Sequence, residues 1–290
     1  MSITAEIIKD SISTADVRIT TFILKYPRFI HSEFMTHRMF SRNASSSRAI
    51  PFEKQLKLIE EDLAYPLDFR KNKKGMQAGE VLSQEELPIA QEVWYGAAKS
   101  AIRFAKKLHK MEVHKQYVNR ILEPFSHISV ICTATSYDNF FALRHHSAAQ
   151  PEMQELAAQM WKEYRSNAPE IIPMTAWHLP FVNTEDMLKA WDIDRFKCKP
   201  EELPKLIKQS VACCARVSYL NHDKTIPTQE QNEVLYNRLL GEQPIHASPA
   251  EHQAKAVGNG EYCSGNFRGW IQFRKTLDNE NTSCFNGPIG

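Results

Sequence analysis

The sequence predicts an α+β chain, and three observations carry that prediction. Residues 3–26 read as strands, because Val17-Arg18-Ile19-Thr20-Thr21-Phe22-Ile23-Leu24 is rich in the β-branched and aromatic side chains that fit a pleated surface. Apolar stripes at helical spacing follow, at Ala90, Val93, Trp94, Ala97, Ala101, Phe104, Ala105 and Leu108, and again at Met153, Leu156, Met160 and Tyr164. The chain of 290 residues, 42% hydrophobic and 24% charged, is long enough to bury a substantial core.

Composition narrows the function classes. Lys and Arg number 36 against 34 Asp and Glu, and a net charge of +2 is too slight to point to a nucleic-acid binder. No apolar run reaches the length of a membrane span, and the start, MSITAEIIKD, does not read as a signal peptide. Cys132, Cys198, Cys213, Cys214, Cys263 and Cys284 form no CxxC pair, so free thiols in a reducing, cytoplasmic setting are expected. No metal is expected, since His145, His146 and His178 lack Asp, Glu or Cys at matched spacing.

Taken in order, the strand residues lead into Pro27 to Arg48, PRFIHSEFMTHRMFSRNASSSR, where most of the chemistry is concentrated. Pro27 suits a first helical turn, and Phe29, Ile30, Phe34, Met35 and Met39 recur at helical spacing. A helix is therefore expected here, with Glu33, His37 and Ser41 four apart on one face. Residues 41–48 are almost wholly polar, and hydroxyls and backbone N–H groups flanked by guanidiniums suit a phosphate. A short helix is expected at 53–63. The loop at 65–80 clusters Lys71, Lys73 and Lys74 beside Gly75 and Gly79, either as a solvated basic loop or as a lid over an anionic substrate.

The helix at 90–108 runs into Lys106, Lys107 and Lys110, cations at the negative end of its dipole. Phe140, Phe141 and Leu143 then mark a buried segment ending in Arg144, a charge that needs a partner if buried. Pro151 and Glu152 open an amphipathic helix, and prolines punctuate 165–205 around a helix start near Asn183-Thr184-Glu185. Leu203, Leu206, Ile207, Val211 and Cys214 make another helix. Thr228 and Gln231 form a capping box for the next, which bears Leu235 and Leu239 and stops at Gly241. In the tail, Phe267, Trp270, Ile271 and Arg274 have helical spacing.

Three blocks resemble the flavin-dependent thymidylate synthases. His37, Arg38, Ser41, Asn43, Ser46 and Arg48 meet the family signature R-H-R-x-x-S-x-N-E-x-S-x-R-Y, while Thr36, Ala44 and Ala49 stand where the family has Arg, Glu and Tyr. In the second block, Asn119-Arg120 and Pro124 answer to A-R-x-x-L-P, residues 140–144 (FFALR) to F-L-x-L-R, and residues 149–153 (AQPEM) to A-Q-x-E-I. The third block, Ala215-Arg216-Val217-Ser218 and residues 246–252 (HASPAEH), answers to A-R-V-S and H-x-T/S-P-F-E-H, apart from Ala250. In the family the third block precedes the signature. Here it follows, the order that a circular permutation would produce.

That resemblance implies one domain spanning 1–290, with a mixed, mainly antiparallel sheet packed with helices in permuted element order. It implies that Glu33, Ser45, Ser46, Ser47, Arg48, Arg120 and Arg144 bind a pyrimidine deoxynucleotide monophosphate. Arg144 would be the catalytic residue, reading the uracil ring and stabilising its ionised form. Thr36, His37, Arg38, Asn43, Thr133, Thr135, Asn139, Ser218, His246 and Ser248 would contact FAD. Methylenetetrahydrofolate and NADPH would be co-substrates, and the sites would lie between subunits of a homotetramer.

C5 of uracil is a poor nucleophile, and the thiol route around that problem is poorly supported here. There is no Pro-Cys, and Cys132 lies in an apolar SVICTAT context where a thiol stays inert. A cationic site with a reduced flavin needs no protein nucleophile. The implied reaction is one-carbon transfer to C5 of dUMP, giving dTMP. C5 hydroxymethylation or methylation of dUMP or dCMP, and a nucleotide-binding protein without catalysis, remain open as alternatives.

Overall fold

The structure, a computed structural model, describes residues 2–192, 197–199, 201–221 and 225–281. β1 (Thr4–Ser13) and β2 (Arg18–Pro27) form an antiparallel hairpin with a bulge between Ile7 and Lys9. β2 is buried on both faces. Phe22, Leu24 and Tyr26 enter one core, while Ile23 and Ile8 pack with Phe181, Cys213 and Val217 on the other side. Double burial is why the strand reads as an apolar run with little alternation.

After Pro27 the expected long helix does not form. The chain makes a 3-10 turn over Arg28–Ile30, a single turn α1 (His31–Phe34), and then turns into β3 (Ser41–Ala44). β3 pairs antiparallel with β4 (His127–Ala134), from Ser41↔Thr133 to Ala44↔Val130. Ser41 therefore does not share a helical face with Glu33 and His37; it is buried at the start of a strand. Ladder pairing with a distant strand overrides the local helical period.

α2 (Phe52–Glu61), α3 (Glu86–Lys110) and α4 (Lys115–Leu122) pack around Phe52, Ile59, Ala105, Val118 and Leu122. The inner face of α3 is narrower than its apolar spacing suggests: Ala98 and Ala105 are buried, but Val93 and Phe104 face solvent. α5 (Asp138–Arg144) and α6 (Pro151–Ser166) cover one face of the main sheet through Phe140, Phe141, Met153, Leu156 and Met160. β5 (Glu170–Ile172) completes that sheet in the order β3-β4-β2-β1-β5, antiparallel except for the parallel β1–β5 pair. This is an α+β fold with a mixed, mainly antiparallel sheet.

The rest of the chain covers the other face. β6 (Trp177–His178), α7 (Thr184–Ala190) and the ribbon of β7 (Trp191–Asp192) and β8 (Lys197–Cys198) lead to α8 (Leu203–Arg216). α9 (Gln229–Leu240) opens on the expected capping box, with Thr228 Oγ1 accepting from the Gln231 N–H and Gln231 Oε1 from the Thr228 N–H. β9 (Ala254–Ala256), the β10 (Cys263–Ser264)–β11 (Phe267–Arg268) pair and β12 (Trp270–Gln272) follow, with β12-β9-β6 forming a three-stranded sheet.

The tail is thus strand and 3-10 turn, not the helix its spacing suggests. Gly269 makes the difference, since it sits at φ +72 and a Cβ there would lie 2.7 Å from Val17 Cγ2. That close approach lets Trp270 bury completely, its indole N–H donating to the Val17 carbonyl at 3.1 Å. Cys284 lies outside the described residues.

Candidate active site

Arg144 is the last residue of α5, where the negative end of the helix dipole favours a cation. Phe140 and Phe141 on the same helix anchor it in the aromatic core and leave Arg144 half-buried. Its Nε donates to His37 Nε2 at 2.9 Å, and its NH1 pairs with the Glu33 carboxylate. The His37 ring rests edge-on against Phe140, 4.9 Å between centroids, and is stacked near Phe40. Burial, with Arg144 and Arg42 nearby, pushes His37 down to about 4. At neutral pH the ring is therefore uncharged, and accepting at Nε2 leaves its proton on Nδ1.

Glu33, Thr36 and Arg144 line a cleft of about 1060 Å³. Its other wall comes from the basic loop, through Asp68, Arg70 and Met76. That loop is a hairpin: the Lys71 N–H donates to the Glu80 carbonyl and the Leu82 N–H to the Phe69 carbonyl, both at 2.8 Å. It is tied down where the Leu67 N–H donates to the buried Glu152 carboxylate at 2.6 Å and where Lys71 pairs with Glu86. None of the loop's three lysines lines the cleft, and Lys71 is turned to Glu86.

A second cluster surrounds the serine run. Ser47 is buried and its hydroxyl donates to Glu123 Oε1 at 2.6 Å, while Arg120 NH1 donates to both Glu123 oxygens at 3.0 and 3.1 Å. Arg28 lies beneath, its NH1 3.8 Å from the same carboxylate and its NH2 donating to the Ser45 carbonyl at 3.2 Å. Burial lowers the Arg28 pKa, with Glu123 opposing that shift. The Ser45 hydroxyl accepts from the Ser129 N–H at 3.2 Å, and Ser46 and Arg48 are exposed. Sequence reasoning missed Arg28 and Glu123. The signal for Glu123 was available: it stands where the A-R-x-x-L-P pattern has leucine.

The third cluster joins segments from opposite ends of the chain. Asn43 on β3 donates from Nδ2 to the Cys214 carbonyl at 2.7 Å and accepts at Oδ1 from the Ser248 hydroxyl at 3.0 Å. Ser218, with Ser45, Lys25 and Arg216, lines a separate cavity of about 360 Å³. His246 is exposed, and its N–H donates to the Leu239 carbonyl at 2.8 Å; it does not line the Arg144 cleft. Thr36, Arg38 and Asn139 are also exposed, and the Thr135 hydroxyl accepts from the Arg268 N–H at 3.1 Å.

Thr133 is placed differently from the other residues expected around a cofactor. It is fully buried, its hydroxyl 2.7 Å from Thr21 Oγ1 and 2.8 Å from His252 Nδ1. The hydrogen-bonded run continues from Thr21 to His178 Nε2 at 2.8 Å and from His178 Nδ1 to Ser11 at 3.0 Å. These partners occupy the hydroxyl inside the core, so Thr133 presents nothing to a ligand. Cys132, also fully buried, is pushed up to about 12 by burial, which leaves no thiolate to act as nucleophile.

Residues 9–170 match the family model described as Thy1, thymidylate synthase complementing protein, over more than half of the chain. The chain belongs to that family. The Arg144 cleft and the serine cluster lie within the matched stretch, whereas Ser218, His246 and Ser248 lie beyond it. The chain is 27% identical over 158 residues to the flavin-dependent thymidylate synthase of Thermosipho melanesiensis (strain DSM 12029 / CIP 104789 / BI429), covering 52% of this chain and 65% of that one. It thus spans slightly less than two thirds of that relative's length. Structural similarity extends to the UMP/dUMP methylase PolB from Streptomyces cacaoi, solved with 5-Br UMP and with 5-Br dUMP. Both comparisons give 17% identity and a TM-score of 0.47 and cover 56% of this chain, with 88% and 90% of the respective PolB chains.

Proposed function

We propose that this chain transfers a one-carbon unit from methylenetetrahydrofolate to C5 of dUMP, giving dTMP, in a flavin-dependent reaction. The observation that carries the reading is Arg144, a guanidinium fixed by Glu33 and by the neutral ring of His37 at the wall of a large cleft. A cation held in place beforehand stabilises negative charge as it develops on a pyrimidine ring, without reorganisation at the moment of reaction. In this reading Arg144 binds the ring and polarises it, and His37 holds the guanidinium plane. Arg120, Ser46 and Arg48 bind the phosphate.

Hydroxyls, a guanidinium and an imidazole among the expected cofactor residues are the groups a flavin nucleotide needs, as donors for its carbonyls and cations or hydroxyls for its phosphates. Thr36, Arg38, Asn43, Ser248, His246 and Ser218 would hold FAD, with Thr135 and Asn139 at the edge; Thr133 does not fit. Once reduced by NADPH, the proposed reductant, a bound flavin would supply the two electrons that take a methylene unit to a methyl group and would itself return to FAD.

A homotetramer with sites between subunits is supported by the separation of the clusters. The Arg144 cleft is not lined by Ser45, Ser46, Ser47 or Arg48 of the same chain, and a second copy could bring its own. A single permuted domain is supported by the core that Ile19 shares with Ala254, Ala256, Phe267 and Trp270, and by the Asn43 bonds to Cys214 and Ser248. Cys132, Cys213, Cys214 and Cys263 are free thiols, which supports a reducing, cytoplasmic setting.

Thr36 and Ala44 stand where the family pattern has a cation and a carboxylate, which favours a second reading on the same site: hydroxymethylation at C5, or action on dCMP. One experiment separates these outcomes. Purified protein is incubated with methylenetetrahydrofolate, NADPH and either dUMP or dCMP, and the nucleotide is weighed by mass spectrometry. A gain of one methyl on dUMP is expected. Absence of product from both nucleotides, in a preparation that takes up no FAD, would overturn the enzyme reading in favour of a binding protein.

A further inference from the structure

Gln55 sits on the inner face of α2 at 3% exposure, yet its side-chain amide makes no hydrogen bond among the described residues. Neither amide atom is among the unpartnered polar atoms sealed from solvent, so the group opens into space. That space is the cavity of about 360 Å³ that Gln55 lines, between α2, the start of β4 and the residues after α8. An amide turned inward is costly unless something there donates to it and accepts from it.

The rest of the wall defines the partner's chemistry. Ile50, Leu58, Val217 and Leu220 supply apolar surface. Arg216 supplies a cation, and it bonds to neutral groups, Asn232 Oδ1 at 2.8 Å and the Cys213 side chain. No carboxylate pairs with it among the described residues. Burial lowers the Arg216 pKa with Cys213 alone opposing the shift, so an anion at the guanidinium meets an uncompensated charge. Two residues on, the Ser218 hydroxyl accepts from the Leu220 N–H at 3.0 Å and keeps its own proton to donate. Lys25, by contrast, is already neutralised by Asp62 at 2.7 Å.

A ligand that meets all of these is flat, presents a donor beside an acceptor, and carries a phosphate. A glutamine amide has both functions, and adenine is the base it reads with the two at once. We propose that this cavity binds an adenine nucleotide, with Gln55 on the base edge and Arg216 and Ser218 on the phosphate. The cavity shares no lining residue with the Arg144 cleft, so it is a second site and not the pyrimidine's. Two sources carry that chemistry, a free adenine nucleotide and the adenylate half of FAD. Only the second rests on the flavin reading, which assigns Ser218 to the cofactor.

Calorimetry with AMP on the full chain tests the site without turnover. The parent and Arg144→Ala should bind AMP alike. Gln55→Leu should weaken binding by roughly 10- to 100-fold and melt no lower than the parent, since the leucine gives up no partner inside the fold. Leu220→Glu places a carboxylate on an exposed part of the wall; it should also weaken AMP, and it decides alone if Gln55→Leu does not fold. No binding by the parent, loss of binding in Arg144→Ala, or unchanged binding in either cavity variant would overturn the proposal. A flavin fluorescence titration then separates the sources. Displacement of FAD by AMP assigns the cavity to the adenylate half, and simultaneous binding of both assigns it to a free nucleotide. A chain that binds AMP in this way but takes up no FAD would sink the flavin reading and leave this site standing.

Discussion

Arg144 and His37 stand 107 residues apart in sequence, yet Nε of the first donates to Nε2 of the second at 2.9 Å. The bond is one-way. His37 is neutral, so it can only receive at Nε2, and the Arg144 guanidinium has no acceptor to offer. The plane of the guanidinium is therefore set by His37 on one edge and by Glu33 on another. Arg144→Ala should abolish nucleotide turnover while leaving the melting temperature close to that of the parent, because the side chain lines the cleft and lies outside the hydrophobic core. His37→Gln, whose amide oxygen can still accept, should keep most of kcat. His37→Ala should lower it by about 10- to 100-fold, since loss of orientation is costly even when the charge remains. Equal rates for the two His37 variants would remove the positioning role.

Glu123 accepts from Ser47 and Arg120 and lies 3.8 Å from the Arg28 guanidinium, one carboxylate among three groups that would otherwise face one another as donors. Glu123→Gln keeps the shape but removes the charge beside the half-buried Arg28. The loss of folding free energy should be about 1–3 kcal/mol, read from urea unfolding. The same variant frees Arg120, so binding of inorganic phosphate or dUMP, followed by calorimetry, should tighten rather than weaken. Weaker binding would mean that Glu123 holds the serine loop in its binding shape and does not compete with the anion.

Local signals made much of this fold legible in the sequence. The β-branched run at 17–24 becomes β2, the capping box at Thr228 opens α9, and Pro151 starts α6. What was not legible depended on distant partners. The stretch at 35–44 carries helical spacing, but β3 forms because β4, some ninety residues later in the chain, offers it a ladder. Gly269 ended the apparent helix in the tail through Val17, which no local window includes. In the site, Arg144 announced itself as a charge at the end of an apolar segment. Thr133 could not be distinguished from a surface threonine until Thr21 and His252 were seen to enclose it.

Trp270 ties the tail to the first hairpin, stacking its bulk into the core with Ile19 and donating to the Val17 carbonyl. Trp270→Phe keeps the ring and loses the hydrogen bond, and should cost about 1 kcal/mol. Trp270→Ala leaves a cavity between the two halves and should cost about 3–5 kcal/mol. Both are measured by urea unfolding. If Trp270→Ala unfolded at the parent's midpoint, the tail would be an appendage, and the single-domain reading would fail with it.

Stability should depend on pH through histidines that the fold keeps neutral. Burial lowers the pKa of His31, His127 and His178, lowers His252 to about 3, and, with nearby arginines, lowers His37 to about 4. Each group has a folded pKa below its unfolded value of about 6.5, so below that pH the unfolded chain binds more protons than the folded one. The sign follows: their contribution is fully present above about pH 6.5 and is lost as pH falls toward the folded values. Asp62, whose carboxyl is lowered by Lys25 and Ser2, acts in the same direction but only below the usual carboxylate range. Between about pH 6.5 and pH 4.5 the slope thus belongs to the histidines, at up to ~1.4 kcal/mol per pH unit for each proton. The urea midpoint should fall steadily across that window. His252→Asn should flatten the slope by up to one proton, even though it lowers stability at every pH. A midpoint that held constant from pH 7 to pH 5 would show that water reaches these rings and that the buried run from Ser11 to His252 is not closed.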